Sequence, residues 1–275
     1  MSLLTSTAYL CVGCGTQHAP SREPPASCAI CDDDRQYVPP EGQRWTTLDA
    51  LRGSLRNTIT EIEPGLTAIR TEQPFAIHHN AFLVQTDEGN VLWDPIALID
   101  EDTVEAIRRR GGAVAIAVSH PHFYTTMVEW SRLLGGAPIH LHAADAGWIQ
   151  RPDPAIALWE GSPPRLPGGL RLVHTGGHFP GSQVLHWPAG AGGRGALLNG
   201  DEANVCADPR WLSFMHSFPN YVPLGAAAAE RVVAALRPLA FDRIYGWRPD
   251  RVMPADARPC MERSLRRHVA AVAGS

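Results

Sequence analysis

Short apolar runs separated by turn residues dominate the chain from about residue 60. Three early runs rich in β-branched and aromatic residues predict strands: GLTAIRT (65–71), AFLVQTD (81–87) and NVLWDP (90–95). Further along, buried-type runs such as AVAIAV (113–118) alternate with amphipathic segments such as DEDTVEAIRRRGG (100–112). That segment begins with acid, ends with base and is followed by glycine, which predicts a helix.

The same alternation continues to the end of the chain. Further strands are predicted in PIHLH (138–142), GLRLVHTGG (169–177), GSQVLHWP (181–188), GALLNGD (195–201) and FDRIYGW (241–247). Further helices are predicted in TTLDALRGSLRN (46–57), TTMVEWSRLLGG (125–136), AADAGWIQ (143–150), PLGAAAAERVVAALRPL (223–239) and DARPCMERSLRRHVAAVA (256–273). A β-rich first part followed by alternating strands and helices predicts an α+β fold, with layers of sheet and helices outside.

Composition narrows the class of protein. The chain has 275 residues, 44% of them apolar and 19% charged, as expected of a globular protein rather than a disordered one. Lys and Arg number 24 against 28 Asp and Glu, so no basic surplus favours nucleic acid. No apolar stretch reaches the roughly 18 residues of a membrane helix, and the N-terminal sequence lacks the features of a secretory signal. We expect a cytoplasmic protein that acts on a small molecule, and the sequence does not indicate its oligomeric state.

Four of the six cysteines form two C-x-x-C pairs, Cys11 with Cys14 and Cys28 with Cys31, in the pattern C-x2-C-x13-C-x2-C. This spacing can place four thiolates tetrahedrally around one ion, and it predicts a structural zinc site of the zinc-knuckle or zinc-ribbon type. Disulfides are the alternative in an oxidising compartment, and a rubredoxin-like iron site is another. Cys206 and Cys260 are isolated and predict ordinary buried or half-buried thiols.

These patterns divide the chain into three parts. Residues 1–38 are predicted to form the four-cysteine zinc-knuckle module, and residues 39–58 a connecting segment that begins with Pro and Gly. Residues 59–275 are predicted to form the larger domain. A module of about 35 residues has too small a core to fold alone, so its ion would supply most of its folding energy.

Histidines and an aspartate follow the predicted strands. AVAIAV runs into Ser119-His120-Pro121-His122, LRLVHT is followed by two glycines and His178, and GALLNG ends at Asp201. Residues two apart in an extended segment point the same way, so His120 and His122 can face one ion. Three neutral imidazoles and one carboxylate can bind zinc or iron.

Four segments in this order resemble the metallo-β-lactamase-fold hydrolases: VLWDP (91–95), SHPHFYT (119–125), HTGGHFPGS (174–182) and LLNGDEA (197–203). The resemblance implies an αββα four-layer sandwich with metal at one edge, between the sheets. It also implies that His120, His122 and His178 are ligands of the first metal. Asp201 matches the carboxylate that bridges two metals, and Asp94 matches a residue that orients a ligand or its loop.

The chain departs from the family at the second metal. Tyr124 and Thr125 stand where the H-x-H-x-D-H signature has its Asp and last His, and Trp247 stands where a late histidine is expected. One carboxylate cannot hold a second divalent ion, so we predict a single ion, zinc or iron. Tyr124 could direct its hydroxyl at a substrate oxyanion or simply fill the space. Asp201 or Glu202 could serve as catalytic base, but an exposed neighbour of Asp201 is the favoured interpretation of Glu202.

The sequence therefore predicts a mononuclear metal-dependent hydrolase of a small ester, thioester, lactone or amide. Two alternatives stay open. One is a non-catalytic member of the fold that binds a metal or small ligand, and the other is a mono-iron redox enzyme whose cysteine module passes electrons.

Overall fold

Two β-sheets face each other in the computed structural model of the chain, and helices cover both outer faces. The structure describes residues 6–274; residues 1–5, where no secretory signal was expected, and Ser275 lie outside the described residues.

The strands are short, and most lie in one of the two sheets. They are β1 (Leu10–Cys11), β2 (Trp45–Thr46), β3 (Asn57–Glu63), β4 (Leu66–Thr71), β5 (Ala81–Val84), β6 (Val91–Trp93), β7 (Ala115–Ala117), β8 (Ile139–His142), β9 (Ile156–Trp159), β10 (Arg171–His174), β11 (Gln183–Trp187), β12 (Ala196–Leu198), β13 (Asn204–Val205), β14 (Leu212–Ser213), β15 (Met215–Ser217), β16 (Val222–Pro223), β17 (Arg243–Tyr245) and β18 (Val252–Met253).

The helices lie between strands or at the C-terminal end. The α-helices are α1 (Ala29–Asp32), α2 (Leu48–Ser54), α3 (Glu101–Arg109), α4 (Met127–Leu133), α5 (Gly190–Gly193), α6 (Ala226–Leu236) and α7 (Ala257–Ala273), and 3₁₀ turns span Pro121–Phe123, Ala143–Trp148 and Pro167–Gly169.

The first sheet contains seven strands in chain order, β3 to β9. Strands β3 to β6 pair antiparallel, and β6 to β9 pair parallel. The parallel pairs need crossover connections, and helices α3 and α4 supply two of them. Asp100 accepts a hydrogen bond from the Thr103 amide and caps α3, which has basic residues in its last turn as the sequence predicts.

The second sheet has the order β10-β11-β12-β17-β18, in which only β12 and β17 pair parallel. The hairpin of β11 and β12 turns through the glycine-rich segment Gly190–Gly193. Three further two-stranded ribbons, β1-β2, β13-β14 and β15-β16, lie outside the two sheets.

Side-chain alternation along the strands divides the core into layers. Phe82 and Val84 point between the sheets and pack with Leu185 and Trp187 of the second sheet. Leu83, between them in sequence, points to the other face and packs against residues of α3 and α4. On the far side, α6 and α7 cover the second sheet. The predicted αββα architecture is confirmed.

Several local predictions were inaccurate. The helix predicted for 46–57 ends at Ser54, and Asn57 instead begins β3, where its side chain bonds Leu98 O and Thr103 Oγ1. Neither β3 nor β9 was predicted, because both lie at the edges of the sheet and β3 is largely polar and exposed. The helix predicted for 143–150 is a 3₁₀ turn.

Residues 6–46 form the cysteine segment, which contains the four paired cysteines and the β1-β2 ribbon and lies against the sandwich. Gln17 donates its backbone N–H to Thr125 O at 3.0 Å, and Ala19 donates to Gln150 O at 3.0 Å. The division of the chain at residues 38 and 58 stays a prediction. Among the helices of residues 6–274, none is both long and apolar enough to cross a membrane.

Candidate metal centre

Three loops at one edge of the sandwich bring the histidines and the aspartate together. His120 follows β7 and precedes the 3₁₀ turn that contains His122, His178 follows β10, and Asp201 follows β12. Gly200 before Asp201 has φ +54°, and a Cβ there would lie 2.6 Å from Ser119 Oγ, so this turn requires glycine. One ligand atom from each of the four residues lies within 4.8 Å of the others.

The distances converge on one oxygen of Asp201. Its Oδ2 lies 3.3 Å from His120 Nε2, 3.7 Å from His178 Nε2 and 4.0 Å from His122 Nδ1. His178 Nε2 and His122 Nδ1 are 3.1 Å apart. An ion with metal–ligand distances of about 2.0–2.2 Å fits among such atoms after a small adjustment.

Hydrogen bonds on the outer side of two rings direct the opposite nitrogen inward. His178 Nδ1 lies 3.0 Å from Met215 O, so Nδ1 carries the proton and Nε2 keeps its lone pair. His120 Nδ1 lies 2.8 Å from Ser119 Oγ, which leaves His120 Nε2 facing the cluster. Both rings are therefore oriented as metal ligands.

Burial keeps two of the imidazoles neutral. It lowers the pKa of His122 to about 4 and that of His178 well below its usual range, where the neighbouring histidines add to the effect. Burial also opposes ionisation of Asp201, but His120 and His122 outweigh it and hold the pKa of Asp201 below its usual range. Neutral imidazoles beside a carboxylate form the ligand set that a divalent cation needs.

The cluster also contains buried polar atoms that no other group of the described residues satisfies. His120 Nε2 and Asp201 Oδ1 both lack a hydrogen-bond partner there. Burial lowers the pKa of His120, yet the adjacent Asp201 raises it above the usual value overall, so the site attracts a positive charge. The residues present therefore fit a single bound cation.

The four cysteines form a second candidate metal site. Cys11 and Cys31 Sγ lie 3.5 Å apart, and Cys14 and Cys28 Sγ lie 3.6 Å apart. Tetrahedral coordination with Zn–S near 2.3 Å places thiolates roughly 3.8 Å apart, whereas a disulfide bond is about 2.05 Å long. Within residues 6–274 every cysteine is free. The geometry fits one ion and does not fit disulfides.

The three positions that depart from the family pattern supply no ligand. Tyr124 is 3% exposed and lies in the apolar cluster with Ile116 and Met127, where burial raises the pKa of its hydroxyl well above the usual value. Thr125 Oγ1 donates to Pro95 O at 2.5 Å. Trp247 packs against the same apolar cluster. This packing favours the space-filling interpretation of Tyr124, and its catalytic role stays a prediction.

Asp94 lies behind the ligands. Its Oδ1 accepts a hydrogen bond from the Ser119 amide at 2.6 Å and its Oδ2 accepts one from the Ser119 hydroxyl at 3.0 Å. Asp94 therefore holds the residue that precedes His120, and its role in orienting a metal ligand stays a prediction.

Sequence reasoning missed two residues that hold His178, and it was wrong about one of them. Glu202 was expected to be exposed, but it is buried, with only 2% of its surface exposed. Its side chain turns inward, and its Oε1 accepts a hydrogen bond from the His178 amide at 3.0 Å. Arg35 Nε donates to His178 O at 2.8 Å. The adjacent Asp201-Glu202 pair could have indicated Glu202, whereas no sequence signal indicates Arg35.

Comparison with known proteins gives a family and a fold. No family model matches the chain. YmaE, an uncharacterised protein of Bacillus subtilis (strain 168), is 44% identical over 266 residues, which cover 96% of each chain.

Solved structures share the fold at low identity. The DIM-1 metallo-β-lactamase, in a crystal exposed to ceftazidime, superposes with TM-score 0.57 and 12% identity, covering 78% of this chain and 98% of that one. The flavodiiron core of Flv1 from Synechocystis sp. PCC6803, in a metal-soaked crystal, superposes with TM-score 0.50 and 17% identity, covering 78% of this chain and 61% of that one. The chain belongs to the family of YmaE, and its fold is that of the metallo-β-lactamases.

Proposed function

We propose that the protein is a mononuclear metal-dependent hydrolase of a small ester, thioester, lactone or amide. The observation that carries this proposal is the convergence of three imidazole nitrogens and Asp201 Oδ2 within 4.8 Å, in a fold shared with metallo-β-lactamases. The side chains at the second-metal positions supply no ligand atom, which supports a single ion.

The chain's own residues would hold the ion and move a proton. His120, His122, His178 and Asp201 would bind it, and a divalent ion there supplies a Lewis acid that polarises a carbonyl and acidifies water. Asp201 Oδ1 is buried without a partner among the described residues, and we propose it as the acceptor of a water proton, a weak one because the pKa of this carboxylate lies below its usual range.

The surroundings favour a small substrate with little charge. The rings of Phe123 and Phe179 lie 4.5 and 5.8 Å from the His120 ring, and the Phe218 ring lies 5.8 Å from that of His178. The guanidinium of Arg35 is already paired with Asp33, so it is not available for a phosphate. An apolar acyl group is compatible with this environment.

A non-catalytic role is the second candidate, and burial is the observation that favours it. The four residues of the imidazole site are between 1% and 5% exposed, so a substrate could reach the ion only if a covering segment moved. An ion sealed in this way would be structural.

Iron is the alternative to zinc. The fold also occurs in the flavodiiron core of Flv1, and the cysteine site would bind iron in a rubredoxin-like manner in a redox enzyme. An iron–thiolate site colours a protein red, which makes this alternative easy to recognise.

The test combines metal analysis with a substrate panel of p-nitrophenyl esters, thioesters and lactones. We expect a colourless protein with two zinc ions per chain, one at each site, and turnover that is lost in His120→Ala. The matched control is His268→Ala, whose ring bonds Leu224 O in another part of the chain. Full metal occupancy without turnover of any panel member would overturn the hydrolase proposal in favour of the non-catalytic role, and a red iron protein would favour the redox role.

A further inference from the structure

One arginine of the cysteine segment touches the loop that carries a metal-site histidine. Arg35 Nε donates a hydrogen bond to His178 O at 2.8 Å. The Arg35 guanidinium also lies over the ring of Phe179, 4.4 Å from its centroid. The contact spans 143 residues of sequence and joins the two candidate metal sites.

An ion pair with a near neighbour in the sequence, Asp33, holds the Arg35 side chain in this position. Its Nη1 lies 2.8 and 2.9 Å from the two carboxylate oxygens of Asp33. The Arg35 and Asp33 side chains are only 17% and 14% exposed, so the pair is partly desolvated and stronger than an ordinary surface ion pair. The guanidinium therefore has little freedom to turn away from His178.

The cysteine site fixes the start of the stretch that leads from Cys31 to Arg35. Helix α1 contains Cys31 and ends at Asp32, and the Cys31 and Asp32 amides both donate to Cys28 O. Asp33 follows at once, so an ion that holds Cys28 and Cys31 also sets the direction in which the chain leaves toward Arg35. Without that ion, a helix of one turn has little to stabilise it.

The second partner of His178 belongs to the same network. His178 Nδ1 bonds Met215 O on strand β15. Two residues further on, Ser217 Oγ donates to Arg35 O at 2.9 Å, and Asn220 Nδ2 donates to Asp34 O at 3.0 Å. The cysteine segment thus supports His178 directly through Arg35 and indirectly through the β15-β16 ribbon.

We infer that Arg35 is a positioning residue through which the cysteine site and the imidazole site are coupled: an ion at the cysteines strengthens ion binding at His178. The inference rests on the proposed single ion at the imidazole site. It adds that the affinity of this site for its ion depends on the cysteine module. Such coupling is reciprocal, so the imidazole-site ion also strengthens binding at the cysteines.

The first test measures how tightly the imidazole site holds its ion when Arg35 is removed. Cobalt-loaded wild type and Arg35→Ala are titrated with a chelator, and the loss of the weak absorption of the nitrogen–oxygen site is followed separately from the intense cobalt–thiolate bands. We expect the affinity to fall about 10-fold or more, as is typical when a supporting partner of a metal ligand is lost. The matched control is Arg44→Ala, an arginine of the same segment whose exposed guanidinium pairs with Glu41.

The second test is a double-mutant cycle with Cys28→Ser, which weakens the cysteine site. If Arg35 carries most of the coupling, Cys28→Ser lowers the imidazole-site affinity in wild type and has a smaller effect in Arg35→Ala, where only the route through the β15-β16 ribbon remains. Equal effects in both backgrounds would overturn the inference, as would an unchanged affinity in Arg35→Ala. Ser217→Ala gives an independent check through the other side of the network, and we expect a smaller loss in the same direction.

The outcomes separate this inference from the proposed function. If wild type bound no ion at the imidazole site, the proposed function would fail first. If wild type bound the ion and both Arg35→Ala and Arg44→Ala retained it equally, only the coupling would fail. Cobalt–thiolate bands that persist in Arg35→Ala show that the cysteine module is still folded, so a loss at the imidazole site cannot be ascribed to unfolding of that module.

Discussion

Ser119 gives both its backbone N–H and its hydroxyl to the carboxylate of Asp94, at 2.6 and 3.0 Å. The hydroxyl oxygen is then free to accept the Nδ1 proton of His120, which lies 2.8 Å away. The chain of bonds fixes the tautomer of His120 and directs its Nε2 toward Asp201. A serine thus connects the carboxylate to the ligand.

Removing this hydroxyl should weaken the metal site without unfolding the protein. In Ser119→Ala the amide bond to Asp94 remains, but the His120 ring loses the acceptor that sets its tautomer. We expect an affinity loss of about 10-fold at the imidazole site, measured by chelator competition. Ser131→Ala is the control, because Ser131 is also buried and bonds Ala137 O outside the site. A similar loss in both variants would argue against the tautomer explanation.

The turn before His178 leaves no room for a side chain at Gly177. A Cβ there would lie 2.4 Å from Val232 Cγ2 and 2.5 Å from Glu202 Oε2. Gly177→Ala should therefore displace Glu202 and the His178 loop, and we expect a loss of about 1–3 kcal/mol in the free energy of unfolding together with weaker metal binding. Chemical denaturation and metal analysis measure the two effects.

Gly53→Ala is the matched control for Gly177→Ala. Gly53 lies in helix α2, and a Cβ there would meet nothing within 4 Å. Alanine favours a helix over glycine, so this variant should be slightly more stable than wild type and bind metal equally. If Gly177→Ala behaved in the same way, the close approach at Gly177 would not matter for the site.

Metal removal should affect the two parts of the chain differently. The cysteine segment packs its own small cluster around Cys11, Cys28 and Ile30, whereas the sandwich has three large apolar clusters. We expect chelation to increase hydrogen exchange in residues 6–46 far more than in strands β5 and β12. An equal increase in hydrogen exchange in the cysteine segment and in these strands would show that the sandwich also depends on the ions for its folding.

The chemistry of the site could be predicted from sequence because it is encoded locally. The strand ends before His120, His178 and Asp201 place these candidate ligands at one edge once the strands are aligned. His122 faces them through the 3₁₀ turn Pro121–Phe123 and not, as the two-residue spacing predicted, through an extended segment. The structure brings their ligand atoms together. The two C-x-x-C pairs likewise specify their own geometry.

The supporting residues could not be predicted because they depend on contacts far apart in sequence. Arg35 lies in a short acidic and basic stretch that resembles a solvated surface until the fold brings it to His178. Glu202 looks like an exposed neighbour of Asp201 in the sequence, yet the turn after β12 directs it inward. Edge strand β3 was missed for a related reason, because its polar sequence carries little of the alternation that marks a half-buried strand.

A histidine distant from the metal centres provides a prediction about pH. His186 lies on β11, and its Nε2–H donates to Ala240 O at 2.8 Å. Its Nδ1 is buried without a partner in the described part of the chain. Burial is the main cause that lowers the pKa of His186 below its ordinary 6.5, and nearby Arg171 adds to it. Protonation of Nδ1 would bury an N–H that has no acceptor.

The sign of the effect follows from the direction of the shift. The unfolded chain binds a proton at His186 below about pH 6.5, while the folded chain resists it. The stabilisation from His186 is thus complete above about pH 6.5 and is lost as the pH falls toward the folded pKa. We expect wild type to lose its stability advantage over His186→Gln as the pH falls below about 6.5, by at most about 1.4 kcal/mol per pH unit. Because both proteins keep the same metal sites, acid release of the ions cancels in the comparison, and a difference that did not change with pH would refute the prediction.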